Sequence, residues 1–143
     1  MDANFLKDFG MIAVLGFSAM GSALGCGTAG VSAVSAWKKC YVQNKPAPFL
    51  LLSFAGCPLS QTIYGFLVMT IKLSRPDVSP GFCLAAGILG GIAIGLSAWL
   101  QGIVCATACD SFAETGKGFA NDLVVLGISE TVALFTMVFI LIS

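Results

Sequence analysis

A single carboxylate lies inside a strongly apolar stretch at the end of the chain. Glu130 is the one charged side chain in residues 123–143. On a helix that rises 1.5 Å per residue, it lies about 12 Å beyond Asp122, close to the middle of a lipid bilayer. A charge at that depth costs on the order of 2.5 kcal/mol or more unless it is neutralised. We therefore expect Glu130 to bind a proton, bind a cation or face a positive group on another protein, rather than to be a hydrogen-bonded carboxyl without a role.

Further side-chain oxygens are expected at a similar depth. Ser60, Gln61 and Tyr64 occur in the stretch CPLSQTIYGF, and Gln101 occurs in WLQG. Each of them taken alone fits an interhelical hydrogen bond better than an ion ligand. Pro58 lacks an N–H and therefore leaves a carbonyl free and distorts its helix locally. A carboxylate, two amide oxygens, a hydroxyl and a loosened backbone together suit a hard monovalent cation, whereas a proton site requires only one carboxyl and one acceptor.

The composition indicates an integral membrane protein. Of 143 residues, 57% are hydrophobic and 10% are charged, whereas a soluble domain has about a quarter of its residues charged. The net charge is zero, and there is no basic segment, so nucleic acid is not an expected partner. The six cysteines contain no CxxC motif and are expected to pack as small apolar residues. The acidic residues of MDANFLKDFG argue against a signal peptide, so we expect the first apolar segment to be retained.

Charged residues divide the chain into four long uncharged or nearly uncharged runs. Each run is long enough for a helix that crosses the hydrocarbon core, which requires about 20 residues. The sequence predicts an all-α membrane protein with transmembrane helices at about 9–36, 47–73, 80–108 and 120–143. These form two hairpin units, residues 1–73 and residues 80–143. The distribution of lysine and arginine weakly favours cytoplasmic positions for the first and third connections.

The two predicted hairpins resemble each other in sequence. Residues 17–29 align with residues 96–108, and residues 58–68 align with residues 127–137. Gln61 then falls on Glu130. The pattern indicates a tandem duplication of a two-helix hairpin, with both copies running in the same direction through the membrane.

The first and third predicted helices carry faces of small residues. Spacings of three and four place the members of each face on one side of a helix: Ser18, Ser22, Gly25, Ala29, Ser32 and Ala36, then Gly87, Gly91, Gly95, Ala98, Gly102 and Ala106. Such faces let helix backbones approach closely in lipid. We expect these two helices inside an assembly and the bulkier second and fourth helices towards lipid. The pattern favours a closed homo-oligomer, and packing within one four-helix monomer is the alternative.

Four stretches together resemble the proteolipid rotor-ring protein of V-type (V/A-type) ATPases, which is called subunit K. They are GSALGCG, PLSQTIYGF, WLQG and SETVALF, and the resemblance covers nearly the whole chain. It implies a non-catalytic, multi-pass protein of the cell membrane that forms a homo-oligomeric ring. The ring would turn against a stator subunit that supplies an arginine, with central-stalk subunits at its cytoplasmic loops. Ion passage would be coupled to ATP synthesis or hydrolysis.

The resemblance also implies roles for individual residues. Glu130 matches the ion-carrying carboxylate, and Gln61 replaces it in the first hairpin, so one ion per chain is expected. In sodium-transporting relatives the ligand set corresponds to Glu130, Gln61, Gln101, Ser60 and the carbonyl of Cys57. Tyr64 matches the residue that orients the glutamate. Ser60 stands where relatives often have threonine, and Cys57 is an unusual residue before the proline, but neither change removes an oxygen. The resemblance therefore favours Na⁺, with H⁺ as the alternative.

Two other functions remain open from the sequence. A small four-helix multidrug or cation antiporter also has one membrane carboxylate, but there we expect it in the first helix, among aromatic residues. A purely structural four-helix scaffold would have no requirement for Glu130, Gln61 and Gln101 at matching depth.

Overall fold

Four long helices form the structure, a computed structural model that describes residues 2–143. They are α1 (Ala3–Val42), α2 (Leu51–Leu73), α3 (Pro80–Thr115) and α4 (Phe119–Ile142). Each helix is long and apolar enough to cross a membrane, and residues 2–143 include no strand. The predicted fold class, an all-α protein with four transmembrane helices, is confirmed, and the chain is a multi-pass membrane protein.

Helices α1 and α3 are much longer than a bilayer is thick. They contain 40 and 36 residues, or about 60 and 54 Å of helix, against about 30 Å of hydrocarbon. Both extend beyond the predicted limits 9–36 and 80–108, because those limits were placed where charged residues begin and the helices continue through them. Lys39 of α1 binds Asp110 of α3 at 2.7 Å and lies 3.8 Å from Glu114. The division into two hairpin units stays a prediction.

Helix α2 changes its winding near its middle. Its α-helical part Leu51–Gly56 is followed by a 3₁₀ turn at Cys57–Leu59, and regular α-helix resumes at Ser60–Leu67. The tighter turn coincides with Pro58, which cannot donate a backbone hydrogen bond. The distortion expected from this proline is therefore present, and it lies directly before the polar residues of α2.

The small-residue faces of α1 and α3 pack against each other within one chain, and this pair has the most extensive contact in the molecule. A Cβ atom added to Gly102 would overlap the backbone of Gly25, and one added to Gly21 would overlap that of Gly95. The structure thus shows the packing within a monomer that the sequence left as an alternative. These faces are already occupied and provide no argument for an assembly of several chains.

The connections hold the helix ends in place. The indole Nε1 of Trp37 donates to the carbonyl of Pro48 at 2.8 Å and ties the first connection to α1. The third connection reverses the chain through Gly116 and Gly118, both with positive φ, a conformation that favours glycine. In the second connection, bonds from Arg75 to the Asp77 carboxylate hold the pKa of that carboxyl below its ordinary value.

Helix α4 is the least buried of the four. Its fully buried residues are Leu126 and Ala133. At its start, Phe119 packs against Phe54 of α2 and Phe112 of α3, with ring centroids 5.2 and 5.7 Å apart. This aromatic cluster anchors one end of α4, and the rest of the helix has little packing that would fix its rotation.

Replacing Gly102 by alanine should destabilise the fold. The added methyl would push α1 and α3 apart, and overpacking of this kind costs about 1–3 kcal/mol. Thermal unfolding in detergent should show a lower Tm for Gly102→Ala. Gly127→Ala is the matched control, because a Cβ at Gly127 of α4 has no neighbour within 4 Å. An unchanged Tm for Gly102→Ala would contradict the close α1–α3 packing.

Candidate functional site

Helices α2, α3 and α4 bring their polar side chains together around Glu130. The carboxylate oxygen Oε1 of Glu130 accepts hydrogen bonds from the Ser60 hydroxyl at 2.6 Å and from the Tyr64 hydroxyl at 2.5 Å. Its other oxygen, Oε2, lies 3.4 Å from the Gln101 amide nitrogen Nε2. Two donors from α2 and one from α3 therefore orient a carboxylate that α4 supplies.

The two glutamines form a bridge behind the carboxylate. Nε2 of Gln61 donates to Oε1 of Gln101 at 2.8 Å, and Nε2 of Gln101 donates to the main-chain carbonyl of Leu126 at 3.0 Å. Both glutamine side chains are fully buried. An unpaired amide in an apolar interior is costly, so this bridge both satisfies the amides and links all three helices.

The local winding of α2 determines which of its groups reach the site. The 3₁₀ turn at Cys57–Leu59 leads directly into Ser60. Ser60 and Tyr64 are four residues apart, which places them on one face of the helix. Their hydroxyls therefore meet the same oxygen of Glu130.

Oxygens outnumber the hydrogens available around Ser60. Its Oγ lies 2.6 Å from Oε1 of Glu130, 3.2 Å from Oε1 of Gln61 and 3.2 Å from the carbonyl oxygen of Cys57. A serine hydroxyl has one hydrogen, so it can donate to one of these three acceptors. The site therefore holds more lone pairs than the protein's own hydrogens can satisfy.

The site is closed on one side and open on the other. Gln61 and Gln101 are enclosed in the bundle, whereas Ser60, Tyr64 and Glu130 are partly exposed at the surface between α2 and α4. Within residues 2–143 the ion pairs all lie outside this site, and Glu130 takes part in none of them. The carboxylate is thus held by neutral donors and faces the outer surface of the bundle.

The arrangement suits a hard cation better than a soft metal ion. Across the described residues, no group of three His, Cys, Asp or Glu side chains has a geometry suited to a metal ion. The oxygens that converge here belong to a carboxylate, amides, a hydroxyl and a main-chain carbonyl, which are ligands that hard cations select.

All six residues proposed from the sequence lie in this cluster. Glu130, Gln61, Gln101, Ser60 and Tyr64 contribute side chains, and Cys57 contributes its carbonyl oxygen, which lies 3.2 Å from Ser60 Oγ. Their geometry agrees with the proposed ligand set, and their role in binding an ion stays a prediction.

Sequence reasoning missed two contacts beside the cluster. The main-chain carbonyl of Leu126 accepts from Gln101, and side-chain types do not reveal such an acceptor. The Ser97 hydroxyl donates to the carbonyl of Ser129 at 2.9 Å. Ser97 lies one helical turn before Gln101, and this spacing could have drawn attention to it.

Comparison with known proteins agrees with the sequence resemblance. Residues 84–143 match the family model of the ATP synthase C subunit. The chain is 32% identical over 137 residues, or 94% of its length, to A-type ATP synthase subunit K from Methanocaldococcus jannaschii (strain ATCC 43067 / DSM 2661 / JAL-1 / JCM 10045 / NBRC 100440). It spans 60% of the length of that relative. The predicted relation to the rotor proteolipids is therefore confirmed.

Replacing Gln101 by leucine should destabilise the chain independently of any ion. The change leaves the Gln61 amide and the Leu126 carbonyl without their partner, and each unsatisfied buried group costs about 1–3 kcal/mol. Thermal unfolding in detergent without Na⁺ should show a clearly lower Tm. Gln43→Leu, at an exposed position after α1, is the matched control and should unfold like the unmodified chain. Equal Tm values for both variants would argue against the glutamine bridge.

Proposed function

We propose that this chain, whose second hairpin belongs to the ATP synthase C-subunit family, is the ion-carrying rotor protein of a rotary ATPase or ATP synthase. Identical copies form a ring in the membrane, and each copy carries one cation on Glu130. Na⁺ is the cargo that the site's chemistry favours over H⁺. The excess of oxygen acceptors around Ser60 is the observation that carries this proposal.

The proposed ligands come from all three helices around the site. Glu130 supplies a carboxylate oxygen, Gln61 and Gln101 supply amide oxygens, and Ser60 and the carbonyl of Cys57 supply two more. Tyr64 donates to Glu130 and orients it. A bound Na⁺ would satisfy the lone pairs that the single Ser60 hydrogen leaves unpaired, and it would cancel the charge of the carboxylate.

A proton would satisfy less of this cluster. One proton on Glu130 neutralises the carboxyl and adds one donor, but the remaining oxygens around Ser60 would still compete for one hydroxyl hydrogen. A site for protons alone has no requirement for two buried amides and a distorted backbone at the same position. The oxygen-rich geometry therefore supports Na⁺.

Charge explains how such a site would couple ion flow to rotation. An empty, charged Glu130 at the surface between α2 and α4 would be costly against lipid, so each copy turns through the membrane only when its site is neutral. A stator arginine would pair with Glu130 and release the ion. One elementary charge that crosses 100 mV carries about 2.3 kcal/mol, so several ions must pass for each ATP.

The first hairpin explains why each chain would carry one ion. Gln61 occupies the position that Glu130 occupies in the second hairpin, and Ser22 occupies that of Gln101. An uncharged glutamine cannot cancel the charge of a cation. We place the contacts with central-stalk subunits at the first and third connections, on the cytoplasmic side.

Labelling with dicyclohexylcarbodiimide, which attacks protonated carboxyls in apolar surroundings, tests the cargo. At fixed pH, millimolar Na⁺ should slow the modification of Glu130 several-fold, because a bound cation displaces the proton that the reagent requires. The same concentration of K⁺ is the control and should have little effect. Equal labelling rates in Na⁺ and K⁺ would refute the sodium assignment and leave a proton as the cargo.

The substitution Glu130→Gln should abolish ion transport and preserve assembly. Glutamine keeps the size and polarity of the side chain, but it can neither exchange a proton nor cancel the charge of a cation. Ion-coupled ATPase activity in reconstituted vesicles measures the loss, and native gels measure assembly. Glu114→Gln also removes one carboxylate, at an exposed position, and should retain transport. Transport retained by Glu130→Gln would contradict the rotor mechanism.

A further inference from the structure

The rotation of α4 about its axis determines whether Glu130 faces its partners. One turn of a helix contains 3.6 residues, so a rotation by one residue moves a side chain by about 100°. Leu126 and Ala133 are the fully buried residues of α4. Apolar packing therefore specifies this helix weakly along its length, and directional bonds must supply what packing does not.

Two side chains of α3 bind main-chain carbonyls of α4 close to Glu130. Ser97 donates to the carbonyl of Ser129 at 2.9 Å, and Gln101 donates to the carbonyl of Leu126 at 3.0 Å. The donors are one helical turn apart on α3, and the acceptors are nearly one turn apart on α4. Two such bonds fix both the rotation and the height of the segment that carries Glu130.

We infer that Ser97 is a positioning residue for Glu130, which holds α4 in register while the carboxylate exchanges its partners. This inference rests on the proposed function and assigns a role to a residue outside the ligand set. The Ser97 side chain is nearly fully buried, with 5% of its surface exposed. Its hydroxyl acts on the backbone of Ser129, the residue directly before Glu130.

The bonds from α2 cannot perform this task. Ser60 and Tyr64 donate to the Glu130 carboxylate itself, so these bonds change whenever a cation binds or leaves or an arginine approaches. The bond from Ser97 ends on a main-chain carbonyl and does not depend on the charge state of Glu130. It can therefore persist through the whole cycle of binding and release.

The first hairpin lacks the equivalent bond, although it has the equivalent residue. Ser18 aligns with Ser97 in the internal repeat, but its hydroxyl donates to the carbonyl of Val14 in its own helix, at 2.7 Å. The contact from α1 to α2 at this level runs instead from the backbone N–H of Thr62 to the hydroxyl of Ser22, at 3.2 Å. The bond between helices thus occurs in the hairpin that holds the carboxylate.

The test compares three variants of the assembled protein in membranes: Ser97→Ala, Ser97→Thr and Ser18→Ala. The measured quantities are the rate of carbodiimide modification at Glu130 and the Na⁺ concentration that halves this rate. Ser97→Ala should raise the half-protecting Na⁺ concentration about three- to tenfold, as expected for the loss of one orienting hydrogen bond. Ser97→Thr keeps the hydroxyl and should restore the value of the unmodified chain.

Ser18→Ala controls for a merely structural effect, because Ser18 is also a fully buried serine whose bond remains within α1. It should change thermal stability about as much as Ser97→Ala and leave Na⁺ protection unchanged. Ser97→Ala with the same labelling rate and Na⁺ protection as Ser18→Ala would overturn the inference.

The same experiment separates this inference from the proposed function. If Na⁺ does not protect Glu130 in the unmodified chain, the sodium part of the proposed function fails. The inference is then decided by the labelling rate alone, which should differ about threefold or more between Ser97→Ala and both controls. Equal rates in all variants would overturn it in that case too.

Discussion

A carboxylate in hydrocarbon requires compensation, and the structure is arranged around that requirement. Glu130 lies on the least buried helix, yet two hydroxyls and an amide converge on its two oxygens. These neutral donors orient the carboxylate but do not cancel its charge. The remaining compensation must come from outside the chain, as a proton, a metal cation or a positive side chain. An arrangement that is complete only with a mobile partner is suited to carry that partner.

The duplication of the hairpin explains how one chain holds both a scaffold and a site. Glycine and other small residues let α1 and α3 meet backbone to backbone, which forms a rigid inner layer. Helices α2 and α4 lie against that layer and carry the polar groups. The two halves differ where function requires it: Gln61 in one half aligns with Glu130 in the other, and Ser22 aligns with Gln101. One hairpin supplies neutral ligands, and the other supplies the charge.

Much of this arrangement could be predicted from the sequence, because polar residues in lipid-spanning segments are few and costly. The four helices, the distortion at Pro58 and the convergence of Gln61, Gln101 and Glu130 follow from that constraint. The lengths of α1 and α3 did not follow, because helices continue through charged residues once these lie outside the hydrocarbon. The partner of the small-residue faces also could not be predicted, since a face of glycines packs equally well within a chain or between chains. The bond from Ser97 to the backbone of Ser129 depends on helix rotation, which side-chain types alone do not specify.

The central claim is that each chain holds one Na⁺ and that Glu130 is indispensable for holding it. Equilibrium binding of radioactive ²²Na⁺ to the purified protein measures this directly, without dependence on rotation or on ATP. The account predicts one Na⁺ per chain at saturation and none for the chain with glutamine at position 130. Absence of saturable binding, two ions per chain, or undiminished binding after that substitution would contradict it.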